Sequence, residues 1–293
     1  MNFYRPSGKR EPNLAASIGV FDSGVGGLSV WQEIARQFPH EHTLYVADQA
    51  HMPYGSRSLA EVQTFSEGIT RFLLHHGAKI VVIACNTASA AALLHLREIF
   101  PEVPFVGMEP AVKPAVERTR TGRVGVLATQ ATFQGQLFAK LTDAYGHNAR
   151  LLPQIGWGLA QAVEAGQLDS PATLALLRQH LSPLREAGID QLVLGCTHYP
   201  FLRPAIEQIL GPDVAIIDPA PAVARQTGRV LAQRRLQNGR EGAARHLFFT
   251  SSPVKPFETM VGRLLPAQTP HIQIRPARWQ PGLAGDELVA MEF

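Results

Sequence analysis

Cysteine is nearly absent from the chain. Cys85 and Cys196 are the only two among 293 residues, which is too few for the framework of several disulfides that stabilises small secreted domains. They also do not form a structural zinc site, because His198 is the one histidine beside them and no paired ligands with the usual spacing follow. The two cysteines are therefore either buried packing residues or reactive thiols.

Long hydrophobic runs are missing as well. The longest apolar run, residues 80–85, is far shorter than the roughly 20 residues that cross a bilayer. The first seventeen residues contain charges and prolines instead of the apolar stretch of a signal peptide. We therefore expect a cytoplasmic protein with no membrane partner, in which residues 1–17 form a loose extension.

Aromatic residues are missing from residues 225–245, the arginine-rich part of the most basic stretch. Residues 219–293 contain ten basic and five acidic side chains. A nucleic-acid site would need stacking aromatics interleaved with this charge or a recognised binding motif, and neither is present. We interpret the excess as a solvated helix face and expect no nucleic-acid partner. The arginines that produce it are Arg225, Arg229, Arg234, Arg235, Arg240 and Arg245.

The sequence does contain short β-branched runs that alternate with longer segments of helical periodicity. This alternation is typical of βαβ units and predicts an α/β fold with mainly parallel sheets. The predicted strands are residues 17–21, 43–47, 80–84, 104–107, 123–128, 191–195, 214–217 and 246–250. The predicted helices lie near residues 28–37, 59–76, 88–99, 111–119, 133–145, 157–165, 172–186, 203–210 and 220–237.

Two segments of the chain resemble each other. Residues 79–87 and 191–198 each contain an apolar strand that ends in cysteine, and small polar residues and a helix follow. The repeat predicts two similar α/β domains. Since open α/β sheets bind ligands beyond the carboxyl ends of their strands, the two domains would present Cys85 and Cys196 to a shared cleft.

Two dipeptides before helices are the expected crossings between these domains. Glu109-Pro110 and Asp218-Pro219 each break a helical pattern, because the residue before proline avoids the helical conformation. The first domain would then contain residues 1–110 together with 219–293, and residues 111–218 would form the inserted second domain.

Matching surroundings favour a chemical role for the two cysteines. One cysteine at the end of a strand is normally a packing residue. Here each cysteine is followed by hydrogen-bonding residues and the start of a helix, as in Cys85-Asn86-Thr87, and helix N-termini lower the pKa of a thiol. A Cys–His nucleophile with His198 as the base stays an alternative, although it leaves the other cysteine unexplained.

A glycine-rich segment, Asp22-Ser-Gly-Val-Gly-Gly-Leu, follows the first predicted strand. It does not match a dinucleotide-binding fingerprint, because Ser29 stands where the third glycine is required, and no glycine-rich loop ends in the Lys-Ser/Thr pair of a P-loop. The glycines would instead let the backbone approach a small ligand, with Asp22 and Ser23 at a helix N-terminus. The alternative is that Asp22 or Ser23 simply caps the helix.

Two further candidates are weaker when taken alone. Pro53-Tyr54-Gly55 lies in a polar loop after the second predicted strand, where both a ligand contact and a plain turn are open. Glu164 lies near the end of a helix with an apolar pattern, and that pattern alone fits an exposed carboxylate.

In combination the motifs resemble those of the glutamate racemases, over about residues 18–265. The resemblance implies that Cys85 and Cys196 are the paired acid and base, that Asp22 assists Cys85, and that Glu164 and His198 assist Cys196. The stretch at residues 127–133 resembles a substrate-contacting segment of the family, although Ala131 replaces a usual glycine. The motifs are Val20-Phe-Asp-Ser-Gly-Val-Gly-Gly-Leu, Pro53-Tyr-Gly, Ala84-Cys-Asn-Thr-Ala and Gly195-Cys-Thr-His-Tyr-Pro. The implied substrate-binding residues are Ser23, Pro53, Tyr54, Gly55, Asn86, Thr87, Thr132 and Thr197.

The function that this resemblance implies is racemisation of L-glutamate and D-glutamate without a metal or other cofactor. No lysine motif for pyridoxal phosphate is evident in the sequence. The resemblance further implies a role in supplying D-glutamate for peptidoglycan biosynthesis, and hence in cell wall biogenesis and cell shape. We expect a homodimer. The segment before Ile18 resembles the extension of Gram-negative glutamate racemases that UDP-N-acetylmuramoyl-L-alanine activates, which makes this compound a candidate activator.

Two rival functions stay open. Aspartate and hydantoin racemases belong to the same superfamily, but aspartate racemases resemble Cys-Thr-Glu where this chain has Cys196-Thr-His. A non-catalytic binding protein would also close two α/β domains on a small ligand. The absence of a secretion signal and the presence of two cleft cysteines argue against that second rival.

Overall fold

The computed structural model describes residues 16–239, 242–282 and 285–291. The expected extension over residues 1–17 lies mostly outside these ranges, and Ser17 already belongs to the first strand. The strands are β1 Ser17–Asp22, β2 Thr43–Ala47, β3 Ala78–Ile83, β4 Phe105–Val106, β5 Arg123–Ala128, β6 Arg150–Ile155, β7 Gln191–Gly195, β8 Ala215–Ile217, β9 His246–Thr250, β10 Ile272–Gly282 and β11 Gly285–Ala290.

Helices cover both sheets and connect most of their strands. Short 3₁₀ helices at Tyr54–Ser56 and Tyr199–Leu202 lie in two of the loops. The α-helices are α1 Leu28–Gln37, α2 Leu59–His75, α3 Asn86–Ile99, α4 Val112–Arg118, α5 Gln130–Gln134, α6 Gln136–Tyr145, α7 Leu159–Glu164, α8 Pro171–Glu186, α9 Arg203–Leu210, α10 Ala220–Gln233 and α11 Val254–Leu264. Among the described residues, no helix is long and apolar enough to span a membrane.

The strands form two separate sheets. The first has the order β11-β10-β9-β2-β1-β3-β4, and the second has the order β6-β5-β7-β8. Every pairing is parallel except the one between β10 and β11. The predicted α/β fold with mainly parallel sheets is therefore confirmed. We propose Glu109-Pro110 and Asp218-Pro219 as the domain boundaries, since they lie between β4 and β5 and between β8 and β9.

The central strands are buried along their whole length. Every residue of β1, β2 and β7 is buried, as expected for parallel strands that helices cover on both faces. Such a sheet exposes only the ends of its strands. Polar side chains placed just after those ends therefore gather at one edge of each sheet.

A buried polar contact joins α1, β2 and β9. The indole nitrogen of Trp31 donates to the Thr43 hydroxyl, with 2.8 Å between Nε1 and Oγ1. The same hydroxyl is 2.8 Å from Nδ1 of His246. Thr43 thus accepts from Trp31 and also contacts the imidazole of His246, so one buried hydroxyl connects the three elements.

Several elements differ from the sequence prediction. β6, β10, β11 and α11 were not predicted, and the helix predicted at 133–145 is two helices that meet at Gly135. Gly135 has an extended backbone, with ψ near 147°, so it cannot continue a helix. β6 contains Pro153 and is half-buried, which hides the apolar pattern on which the prediction depends.

Candidate active site

A single cavity lies where the carboxyl ends of strands from both sheets meet. Glycine and polar residues that directly follow β1, β3, β5 and β7 line its walls. The cavity contains both cysteines, which reach it from different sheets. The predicted site residues that line it are Ser23, Pro53, Tyr54, Gly55, Cys85, Asn86, Thr87, Cys196, Thr197 and His198.

Cys85 is the N-cap residue of α3. Its sulfur accepts a hydrogen bond from the backbone N–H of Ala88 at 3.5 Å and lies 4.0 Å from the Ser23 hydroxyl. Burial raises the pKa of the Cys85 thiol well above its usual value, and the charge of Asp22 adds to the rise. The helix N-terminus alone would lower the pKa of this thiol, but burial outweighs it, so the thiol form of Cys85 is favoured at neutral pH.

Cys196 lies beside a hydrogen-bonded pair of charged side chains, His198 and Glu164. Its sulfur is 3.6 Å from Nδ1 of His198, and Nε2 of His198 donates to Oε1 of Glu164 at 2.7 Å. Burial acts to lower the pKa of His198, but the hydrogen bonds to Cys196 and Glu164 and the charges of both hold it well above its usual value. Burial alone would raise the pKa of Glu164, but the hydrogen bond and the charge of His198 outweigh burial and hold this pKa below its usual value.

Asp22 lies at the junction of the two domains. Its carboxylate accepts from the Ser23 hydroxyl at 3.0 Å and from the Thr197 hydroxyl at 2.9 Å. Burial raises the pKa of Asp22, while the charge of His198 and the hydrogen bond from Thr197 oppose the rise. Asp22 is fully buried behind the cavity wall, so its proposed role is to act on Cys85 through charge.

The glycines of the segment after β1 make room for the acid–base groups of the second domain. A Cβ atom on Gly24 would lie 1.9 Å from Oε1 of Glu164, and one on Gly26 would lie 2.4 Å from Nδ1 of His198. Backbone approach this close is possible only without a side chain. The glycine-rich segment thus accommodates the second domain, in addition to lying near any ligand.

Asn86 has no protein partner. Neither Nδ2 nor Oδ1 of Asn86 makes a hydrogen bond within the part of the chain that the structure describes, although the residue is only 3% exposed. An unpaired buried amide costs about 1–3 kcal/mol. Because Asn86 lines the cavity, a polar ligand would restore its hydrogen bonds.

The hydroxyl of Tyr54 is already occupied. It donates to Oδ2 of Asp48 at 2.7 Å, so a ligand would meet the backbone and ring of this residue instead. Asp48 is fully buried and connects the loop that carries Tyr54 to β9 and to the C-terminal hairpin. The donors to Asp48 are His51, Tyr54, Ser251 and Trp279, at 2.7 or 2.8 Å.

Thr132 lies behind the cavity wall. The wall residue is Thr129, whose hydroxyl is 2.9 Å from the hydroxyls of both Thr87 and Thr132. Thr129 therefore connects the two domains at this point. We propose that Thr129 contacts a ligand and that Thr132 acts through it.

Sequence analysis missed three polar residues at the site. Asp48 and Gln49 directly follow β2, and Thr129 directly follows β5. Like Cys85, they lie within two residues of the end of a strand. A systematic survey of the two residues after every predicted strand would have found all three.

Comparison with known proteins identifies the family. Residues 18–227 match the model of the Asp/Glu/hydantoin racemase family. A glutamate racemase from Pseudomonas aeruginosa is 49% identical over 252 residues, which are 86% of this chain and 93% of that protein. A glutamate racemase from Roseiflexus is 50% identical over 222 residues, or 76% of this chain and 82% of that protein.

Solved structures agree with this result. A glutamate racemase isoform from Bacillus anthracis superposes with a TM-score of 0.80 at 36% identity, and the match covers 88% of this chain and 96% of that one. The Escherichia coli glutamate racemase in complex with L-glutamate and the activator UDP-MurNAc-ala has a TM-score of 0.79 at 29% identity, covering 95% and 100%. The resemblance to glutamate racemases is confirmed, and the chain belongs to the Asp/Glu/hydantoin racemase family of isomerases.

Proposed function

We propose that this racemase interconverts L-glutamate and D-glutamate without a cofactor, with Cys85 and Cys196 as the two acid–base groups. The observation that carries the proposal is the placement of both thiols, one from each domain, in the wall of a single buried cavity. Racemisation requires a proton to leave one face of Cα and another to arrive on the opposite face. Two thiols on facing domains suit that requirement.

Proton transfer in each direction uses the cysteines in opposite roles. Cys85 removes the Cα proton of D-glutamate while the Cys196 thiol donates a proton to the other face, which yields L-glutamate. The reverse reaction begins with Cys196 as the base. A thiol is suited to both roles because its reference pKa of about 8.5 is close to neutrality.

The two thiolates arise in different ways. The hydrogen bonds to Cys196 and Glu164 hold the pKa of His198 well above its usual value, so an imidazolium lies beside the Cys196 sulfur. Among the described residues no cation is in hydrogen-bonding contact with the Cys85 sulfur, and the charge of Asp22 disfavours its ionisation. The α-ammonium group of the substrate supplies the missing positive charge, since an adjacent opposite charge favours the ionised form of a thiol. Cys85 therefore becomes a base only when substrate is bound.

Polar groups around the thiols match the two carboxylates of glutamate. The unpaired amide of Asn86, together with the hydroxyls of Ser23 and Thr197, lines the cavity. The N-terminal turn of α3 presents backbone N–H groups and the positive end of its dipole, which favour an anion. These donors also receive the charge that develops when Cα loses its proton.

Glutamate should be turned over much faster than aspartate. The shorter side chain of aspartate would leave buried donors unpaired, at a cost of about 1–3 kcal/mol for each, and a glutamate racemase from Francisella tularensis was solved in complex with D-glutamate. Optical rotation or chiral chromatography with purified protein and no added cofactor measures both rates. Equal kcat/KM values for the two amino acids would contradict the proposed substrate.

Regulation and cellular role extend the proposal. We propose UDP-N-acetylmuramoyl-L-alanine as an activator, supported by the related Escherichia coli enzyme that was solved with UDP-MurNAc-ala. The same assay with and without this compound tests the idea, and an unchanged kcat/KM would count against it. Supply of D-glutamate for peptidoglycan, a cytoplasmic location and a homodimer stay predictions, and light scattering in solution measures the last of them directly.

A further inference from the structure

Gln49 makes a hydrogen bond that spans the two domains. It is the second residue after β2 of the first sheet. Its side-chain Nε2 donates to Oε2 of Glu164, at the end of α7 in the second domain, at 2.8 Å. The Thr250 hydroxyl donates to Oε1 of Gln49 at 2.9 Å. The amide is therefore held at both ends, and its orientation is fixed by Thr250.

The two carboxylate oxygens of Glu164 accept hydrogen bonds from different residues. Oε1 accepts from His198 at 2.7 Å and also from the backbone N–H of Val25. Among the described residues, Oε2 accepts a hydrogen bond only from Gln49. Gln49 thus occupies the oxygen that His198 leaves free, and it determines how the carboxylate is rotated toward His198.

We infer that Gln49 is a positioning residue for catalysis, which holds Glu164 in line with His198 and so holds the imidazole of His198 beside the Cys196 sulfur. The inference rests on the proposed acid–base role of Cys196. A buried carboxylate without its second donor can rotate or take up a proton, and either change weakens its hold on the imidazolium. Neither Gln49 nor its contact with Glu164 was predicted from the sequence.

Other titratable groups face Glu164 and define the background for a pH test. Asp22 and Tyr45 interact with it through charge, and His198 connects it to Cys196. Arg263 of α11 approaches Gly166, two residues after Glu164. All of these groups stay unchanged when only residue 49 is replaced, so a new titration can be assigned to the introduced side chain.

Replacement of the amide by a carboxyl group gives a test with a definite sign. In the Gln49→Glu variant two carboxyl groups share one site, so one of them titrates well above the ordinary value for glutamate. When that group is protonated it can donate to Glu164 as the amide does. We therefore expect the ratio of variant to wild-type kcat/KM to rise as the pH falls from about 9 to 6.

Gln49→Met and Gln37→Glu serve as controls. Gln49→Met removes both hydrogen bonds, so we expect kcat/KM to fall about tenfold or more, as for loss of a hydrogen bond to a charged group, with a ratio to wild type that does not rise at low pH. Gln37 donates to Oε2 of Glu33 at 2.9 Å, away from the cavity. Gln37→Glu creates the same carboxyl pair there, and we expect wild-type kinetics at every pH.

The possible outcomes separate a positioning role from a purely structural one. A structural role predicts a lower melting temperature in both Gln49 variants and a ratio of kcat/KM that is flat with pH. Circular dichroism identifies any variant that does not fold. Wild-type activity in both folded Gln49 variants, or a flat ratio for Gln49→Glu, would overturn the inference. An inactive wild-type protein would instead overturn the proposed function on which it rests.

Discussion

The two thiols of the cavity have different electrostatic neighbours. Cys85 faces the carboxylate of Asp22 and the start of α3, whereas Cys196 faces the protonated His198. Burial raises the pKa of the Cys85 thiol, whereas the Cys196 sulfur lies 3.6 Å from Nδ1 of the imidazolium of His198. The resting enzyme is therefore asymmetric, although the reaction that it catalyses interconverts mirror images.

Single substitutions should distinguish the obligatory residues from the auxiliary ones. Cys85→Ser and Cys196→Ser should each abolish racemisation almost completely, because an alcohol is a far weaker base and each turnover needs both groups. Asp22→Asn and His198→Asn should lower kcat by a factor of about 10²–10⁴, as expected for groups that adjust proton transfer. Initial rates from both enantiomers measure these effects. A serine variant as active as the auxiliary variants would refute the assignment.

The residues at the ends of strands were predictable one at a time, whereas their partners were not. Cys85 and Cys196 follow apolar strands whose pattern is plain in the sequence. Glu164 and Gln49 make contact across 115 positions of the chain, and no local pattern encodes such a contact. The positions of these two side chains depend on how the domains pack, which periodicity does not report.

At the level of elements, the central parallel strands were the most predictable part of the fold. β2, β5, β7 and β9 have the predicted bounds, because strands buried on both faces need unbroken apolar runs. The hairpin of β10 and β11 lies at the edge of the first sheet, where one exposed face admits polar residues and hides the pattern. Trp279 of this hairpin nevertheless donates to Asp48 at 2.7 Å, and so supports the loop that carries Tyr54.

The start of β9 should make the protein sensitive to acid. Burial, with the charge of His42, lowers the pKa of His246 from 6.5 to about 4. Between pH 4 and 6.5 the unfolded chain binds a proton at His246 that the native state does not. Neutral His246 therefore contributes fully to the free energy of unfolding above about pH 6.5, and this contribution is lost as the pH falls toward 4. The loss is at most about 3 kcal/mol.

Urea unfolding at a series of pH values measures this loss. In a His246→Phe variant the free energy of unfolding should decline less steeply between pH 6.5 and 4 than in the wild type, even if the variant is less stable at pH 7. The variant removes the titrating group, while every other group that responds to acid is retained. Parallel pH profiles for the two proteins would show that His246 is not the source of the sensitivity.

At the scale of the whole molecule, the cavity is built from contacts between the domains. Thr197 donates to Asp22, the Ser29 hydroxyl donates to the backbone oxygen of Thr197 at 3.1 Å, and the N–H of Val25 donates to Glu164. Each contact joins the first sheet's loops to the second domain. Neither domain alone contains both cysteines, so the proposed two-cysteine racemisation depends on the association of the two domains.

The central claim is that two bases act on opposite faces of one carbon, and isotope incorporation tests it most directly. L-glutamate and D-glutamate are each incubated with the enzyme in deuterium oxide and sampled early by mass spectrometry and chiral separation. With Cys85 and Cys196 as separate bases, the product gains deuterium at Cα while the remaining substrate keeps its hydrogen. Deuterium in the unreacted substrate, or return of the original proton to the product, would contradict the two-cysteine mechanism.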